Sequence, residues 1–365
     1  MITHSLFEKT PSYDIMSHRI ENAKGEYVDI LDYGAVVHRL CVKNASGKLT
    51  DVVLGYANAK DYNTRTTYLG AAIGRTTNRI SGAKFSYEGK TFRLFDTGGG
   101  VSLHGGDIGF NRRLFTLLKD ECTENTVVLG IYSEDGDQGY PGNLTYKVKY
   151  TFTDTSSLII EYEASTDSRT IFNTTNHSTF NLSGHDSDTP MLDNVLCINS
   201  DYVTPLGNDF TPTGKLENVK GTIFDFKAPK EIGRDINTDN EQLKLAGGYD
   251  INYVLNPFDI LQIPANISKT EGFEGLNTAA YAYSRRSGIT MTVKTDLPCL
   301  LFYSGNFLVK SIAKDGASYD FRYGFCLETQ LYPDAVNKKT FPPISLFPGE
   351  NYHSKTVYSF GTQKN

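Results

Sequence analysis

Leu144-Thr145-Tyr146-Lys147-Val148-Lys149-Tyr150-Thr151-Phe152-Thr153 alternates apolar and polar residues without a break over ten positions. A period of two places every apolar side chain on one face of an extended chain and every Thr or Lys on the other. This stretch therefore predicts a strand half-buried against a core, with its polar face toward water. Shorter runs of the same kind occupy 28–42 (broken at Gly34), 51–56, 125–132, 157–164 and 289–295. Residues 84–94 read as a hairpin: Phe85 and Tyr87, a Glu88-Gly89 turn, then Phe92 and Leu94. Helical patterns are few. Residues 229–236 and 239–246 can form short helices, and neither carries a long apolar stripe. No linker, repeat or low-complexity tract interrupts the chain. The expectation is one domain over residues 1–365, mainly β, built as a large antiparallel β-sandwich of two packed sheets.

Composition agrees and removes several functions. The 365 residues include 23 Tyr, 21 Phe and 33 Gly but no Trp, a mixture suited to strands and turns. The net charge is −6, and no run of Lys or Arg exceeds two residues, so neither a nucleic-acid partner nor an anionic membrane surface is expected. No apolar run reaches transmembrane length, and the N-terminal segment has no signal-like apolar core. The five cysteines (Cys41, Cys122, Cys197, Cys299, Cys326) are scattered with no CxxC pair. That spacing argues against a disulfide framework or thiolate metal site and fits a cytoplasmic chain, with Cys299 and Cys326 as small core residues.

Among seven histidines, His4 and His18 fall where strands have barely begun and read as solvated, while His38 lies in an alternating strand. His104 and His177 stand apart in Gly-Gly-Gly-Val-Ser-Leu-His104-Gly-Gly and Asn-Thr-Thr-Asn-His177-Ser-Thr-Phe-Asn-Leu-Ser-Gly. Glycine lets backbone approach a ligand closely, and Asn or Ser can fix a ring tautomer. No HxH, HExxH or EF-hand spacing occurs, so no metal is expected; His185-Asp-Ser-Asp188 reads as a polar surface loop. Gly98-Gly99-Gly100 does not continue as a dinucleotide fingerprint, and GxSxG and GxxxxGK[ST] are absent, so no nucleotide cofactor is expected. Glu328 lies in the apolar run 325–332, sharing a strand face with Cys326 and Gln330. A carboxylate there must be paired or tuned, because burying it alone is expensive. Asp250 follows Gly247-Gly248-Tyr249 and reads equally as a turn aspartate.

Six segments in order resemble the aldose 1-epimerase (galactose mutarotase) family. They are Gly74-Arg75-Thr-Thr-Asn78-Arg79-Ile80, Leu103-His104-Gly-Gly106, Asp135-Gly-Asp-Gln-Gly-Tyr-Pro-Gly142, Thr175-Asn-His177-Ser178 with Phe180-Asn-Leu182, Gly248-Tyr-Asp250, and Glu328-Thr-Gln-Leu-Tyr-Pro-Asp-Ala-Val-Asn337. The resemblance implies a single large antiparallel β-sandwich that interconverts the α and β anomers of a free sugar with neither cofactor nor metal. It implies Glu328 as base toward the anomeric hydroxyl, His177 as acid toward the ring oxygen, and His104 supporting the second proton transfer. Asn78, Arg79 and Asp250 would hold sugar hydroxyls, and Arg75 would serve structurally.

The sequence departs from the family pattern at three places: Leu301 stands where Gln is usual, Asn252 where His is common, and Thr179 where an aromatic is usual. None removes the implied acid or base, but Leu301 deletes a sugar hydrogen bond and leaves the preferred sugar open. Three other functions stay open on sequence: a glycoside hydrolase using Asp250 and Glu328 as its carboxylate pair, a non-catalytic sugar-binding protein, and a hexose-phosphate epimerase, which would want an Arg-rich phosphate pocket for which Arg75 and Arg79 alone are thin support. The oligomeric state, monomer or homodimer, is equally open.

Overall fold

The structure, a computed structural model, describes residues 1–257 and 273–363. Leu144–Phe152 is a strand, and its five apolar residues are buried while its Thr and Lys residues keep partial or full exposure. It pairs with Thr126–Ser133 on one side and Ser157–Thr166 on the other, in a nine-stranded sheet whose far half contains Asn351–Thr362, Ile289–Thr295 and Asn277–Ser284. Buried Tyr146 and Tyr150 still satisfy their hydroxyls, with Thr174 Oγ1 at 3.0 Å and the Ala35 carbonyl at 2.6 Å. Each such side chain contributes about 1.5–3 kcal/mol of burial.

A six-stranded sheet packs on this one. Its order is Thr179–Phe180, Phe325–Gln330, Cys299–Tyr303, Asp250–Leu255, Ser200–Thr204 and Glu217–Asn218, antiparallel throughout. Alternation sorts its residues. Ile251, Tyr253, Leu300, Phe302, Phe325 and Leu327 enter the core shared with the larger sheet, where the Tyr358 hydroxyl donates to the Leu327 carbonyl at 2.9 Å. Asp250, Leu301, Tyr303 and Glu328 point the other way, into a cleft. A third, five-stranded sheet runs from Ile2–Lys9 to Leu49–Asp51. The chain is thus mainly β, as its pattern predicts.

The Glu88-Gly89 hairpin forms as expected, with both turn residues at positive φ joining Lys84–Tyr87 to Lys90–Arg93. Four readings need correction. Ile2–Lys9 and Asp14–Glu21 are already strands, and the cross-strand pair His4–His18 leaves His18 buried, its Nδ1 2.8 Å from that of His4. Isoleucines and charged residues alternate too loosely there to reveal the strands. Residues 229–236 form no helix: Lys230–Glu231 joins the edge of the large sheet and the rest is turn, because the pairing partner Val195–Leu196 supplies hydrogen bonds a short helix would lack. Asn240 does cap a helix, Glu241–Ala246, which ends at Gly247. The expected His185–Asp188 surface loop buries His185, whose Nδ1 lies 3.1 Å from the Tyr319 hydroxyl. One further short helix, Ala59–Thr64, was not foreseen. All five cysteines are free thiols, and no helix among the described residues is long and apolar enough to cross a membrane.

Candidate active site

Two adjacent rows cross the smaller sheet under the cleft, whose floor is made by Asp250, Tyr303, Leu301 and Glu328. Asp250, Tyr303 and Cys326 stand opposite one another on three neighbouring strands, and Asn252, Leu301 and Glu328 form the next row. Loops from the other elements bring the imidazoles over this floor. His177 follows Thr175–Asn176, which pairs with Ala72–Ile73, and its backbone is pinned by the Ala71 carbonyl and the Gly70 amide. Asn176 fixes the turn by accepting from the Ser178 amide and hydroxyl. His104 leaves the strand Val101–Leu103 at φ 51°, ahead of Gly105 at φ 89°. A Cβ on Gly105 would stand 1.9 Å from the Gly74 carbonyl oxygen, so only glycine fits.

The Asn78 amide donates to His104 Nδ1 at 3.2 Å, which leaves the ring proton on Nε2. The tautomer is thus set by a backbone N–H; beside His177 the Asn176 side chain holds backbone instead, donating to the Gly70 carbonyl and accepting from the Ser178 amide. The two imidazole centroids are 5.3 Å apart. His177 Nε2 lies 3.5 Å from Glu328 Oε1. Arg79 Nη1 is 3.8 Å from Asp250 Oδ2, and its guanidinium lies over the Phe210 ring at 5.1 Å. All six residues expected at the site, Asn78, Arg79, His104, His177, Asp250 and Glu328, line one cleft together with Leu301, Tyr68, Tyr303 and Phe307. Its void, mouth included, is about 450 Å³.

Electrostatics in the cleft are dominated by dehydration. Burial, then the nearby Asp250 charge, pushes the Glu328 carboxyl well above the carboxylate range, against the pull of Arg79. Both Glu328 oxygens are buried without a hydrogen-bond partner. Burial pulls His177 down to about 4, and pulls His104 well below the ordinary imidazole value with help from His177 and Arg79. Burial also raises Asp250, with Arg79 opposing. The Glu328–His177 pair is therefore driven toward a neutral state that holds one proton between two facing atoms. Such a pair can take a proton at one atom of a ligand and release one at another.

Sequence reasoning missed Tyr68, whose ring sits 4.6 Å from His104 and 5.7 Å from His177. It lies in a loop at φ 53°, where no periodicity signals its direction. Tyr303 was readable in principle, two residues from Leu301 on one strand face. Arg75 does not reach the cleft. Its buried guanidinium donates to the carbonyls of Ser133, Glu134, Pro141 and Gly142 and to Ser133 Oγ, a structural role as expected. The 135–139 loop is held the same way: Asp137 pairs with Arg113 at 2.5 Å, and Gln138 accepts from the Asp107 amide just beyond His104.

A buried carboxyl–imidazole pair beside a second imidazole, set in a cleft on a large antiparallel sandwich, has the chemistry to give and take protons at a small bound molecule. Residues 16–359 match the aldose 1-epimerase family model. The chain is 35% identical to the galactose mutarotase of Sus scrofa, covering 98% of both chains, and 33% identical to the aldose 1-epimerase of Escherichia coli, covering 93% of this chain and 94% of that one. The crystal structure of galactose 1-epimerase from Lactobacillus acidophilus superposes with a TM-score of 0.83 at 26% identity, covering 100% of this chain and 99% of that one. This chain belongs to the aldose 1-epimerase family, and it is an isomerase with the galactose mutarotase-like fold.

Proposed function

We propose that the protein interconverts the α and β anomers of free aldohexoses such as glucose and galactose, with Glu328 and His177 carrying the two proton transfers. The observation that carries this reading is the 3.5 Å approach of His177 Nε2 to Glu328 Oε1, whose carboxyl has no other partner in the cleft. In the reactive arrangement the pair's one proton has passed from Glu328 to His177, across their 3.5 Å contact; Glu328 then removes the proton from the anomeric hydroxyl while His177 delivers its own to the ring oxygen, and the C1–O5 bond opens. The free aldehyde rotates about C1–C2, and reclosure on its other face reverses both transfers. The number of protons on the pair is the same before and after, so no outside acid or base is needed. His104 offers its Nε2–H to oxygens at the same end of the sugar. Asn78, Arg79 and Asp250 hold hydroxyls farther along. Positioned acid–base groups of this kind each contribute roughly 10²–10⁴ in rate.

A hydrolase reading is weaker here, because Asp250 is engaged by Arg79 and the partner nearest to Glu328 is an imidazole rather than a second carboxylate. The relatives named above support a free sugar as substrate, and the protein is proposed to work in the cytoplasm, in hexose and galactose metabolism, as a single domain and as a monomer or homodimer. His177→Asn tests the assignment by polarimetry on freshly dissolved α-D-glucose and α-D-galactose. A folded variant is expected to lose at least about 10²-fold in kcat, and near-normal turnover would refute the role.

A further inference from the structure

Cys326 takes part in none of these steps and does not line the cleft, yet it lies directly behind the acid–base pair. It shares a strand face with Glu328, two residues away. Its Sγ is 3.6 Å from His177 Nδ1, while Glu328 Oε1 is 3.5 Å from Nε2 of the same ring. One sulfur, one nitrogen and one carboxylate oxygen lie within 4.8 Å of one another, all on buried residues. Tetrahedral zinc with ordinary bond lengths has N···S and N···O edges of roughly 3.6 and 3.4 Å. The two short distances run to different nitrogens of the ring; one atom from each residue gives separations of up to 4.8 Å, so an ion would draw the three ligands together by about 1 Å. The two unpartnered, fully buried oxygens of Glu328 point to a missing ligand in the same place.

We propose that Cys326, His177 and Glu328 form a binding site for a borderline-soft divalent cation, zinc or cadmium, and that its occupation blocks the sugar pocket. Thiolate, imidazole and carboxylate together favour such ions over magnesium or calcium, which prefer all-oxygen sites. On binding, the Cys326 S–H bond breaks, its proton passes to solvent and a sulfur–metal bond forms, with no change of oxidation state. Only one ring nitrogen can face the ion, so binding requires the His177 ring to turn about its Cβ–Cγ bond and the Cys326 and Glu328 side chains to close on it. The ion then holds the lone pairs of the groups proposed above as acid and base, and its open fourth position faces the cleft. Sugar and cation exclude each other.

The test titrates the full chain with zinc in a non-coordinating buffer and follows mutarotation, and separately with cadmium, following the ultraviolet absorption of a cadmium–thiolate bond. Expected are one cation per chain, inhibition that rising glucose overcomes, and reversal by EDTA. Cys326→Ala should still turn over sugar, lack the thiolate band, and need at least about tenfold more zinc for the same inhibition, since even an outer-shell partner's loss costs that much. Cys326→Ser, which keeps the side-chain volume beside Thr179, replaces it where alanine fails to fold. Equal zinc sensitivity in the variant, or a thiolate band that survives the substitution, would overturn the site. Because the cadmium signal needs no turnover, a chain that binds cadmium through Cys326 but never accelerates mutarotation supports this site and removes the assignment under Proposed function instead.

Discussion

Replacing Glu328 with glutamine separates catalysis from stability in one substitution. The side chain keeps its shape, but the proposed acceptor of the anomeric proton is gone, so kcat should fall by at least about 10²-fold. Stability should move the other way, and its size follows from the carboxyl's surroundings. Glu328 is fully buried, both its oxygens lack partners, and burial holds its folded-state pKa well above the 4.5 of an exposed glutamate. Above pH 4.5 the unfolded chain releases this proton while the folded chain keeps it. Folding stability is then fully present below that pH and declines by about 1.4 kcal/mol per pH unit as pH rises toward the folded-state value. The amide has no proton to release, so Glu328→Gln lacks this decline. Urea unfolding at about pH 5 and about pH 7 should show the variant gaining on the parent by up to roughly 2–3 kcal/mol over those two units. Other titrating groups cancel in the comparison. A stability difference that stays constant between the two pH values, or a variant with parental kcat, would refute the reasoning.

Three further expectations follow from the same geometry. The pH profile of kcat/KM should be flat while the Glu328–His177 pair holds one proton, fall on the acid side near about 4 as His177 gains a second, and fall on the alkaline side above the ordinary carboxylate range as Glu328 loses its own; an acid limb at an ordinary imidazole value would contradict it. Leu301→Gln puts an amide on the cleft wall beside Glu328, and one hydrogen bond to a neutral hydroxyl should shift KM between glucose and galactose by roughly two- to tenfold; unchanged sugar preference would show that position 301 touches no hydroxyl. Arg75→Lys strips most of the donors from three buried carbonyls and one part-buried one and should cost about 3 kcal/mol or more by denaturant unfolding; a loss under about 0.5 kcal/mol would mean that other groups, water included, replace those bonds.

How much of this could be read in advance depends on where each residue lies. The sandwich was legible because strands such as Leu144–Phe152 have one wet face and one dry face, which prints the period of two directly into the sequence. The same rule assigned Glu328 and Cys326 to one face of Phe325–Gln330, although the strand is buried on both sides and its alternation is chemical rather than hydropathic. Asn78, Arg79, His104, His177 and Asp250 come from segments that are separate in sequence. Their convergence was visible only through motif resemblance, since no local rule links a loop at residue 104 to a strand at 328. What stayed hidden were contacts made by chain reversals: Tyr68 over both imidazoles, His18 buried by its pairing with His4, and His185 turned inward to Tyr319. The departures also gained a physical meaning. Leu301 lines the cleft, whereas Asn252 accepts from Gln330 Nε2 at 2.9 Å and Thr179 lies 3.2 Å from Cys326 Sγ, both buried behind it.

Ring opening in the proposed reaction begins at a free anomeric hydroxyl. Proton NMR of the anomeric signals, with the full chain added to fresh α-D-glucose and in parallel to methyl α-D-glucoside, measures this directly. Accelerated approach of free glucose to its α/β equilibrium, with the methyl glucoside left unchanged because its O1 carries no proton, is the predicted result. Cleavage of the methyl glucoside, or an α/β approach no faster than in buffer, would contradict it.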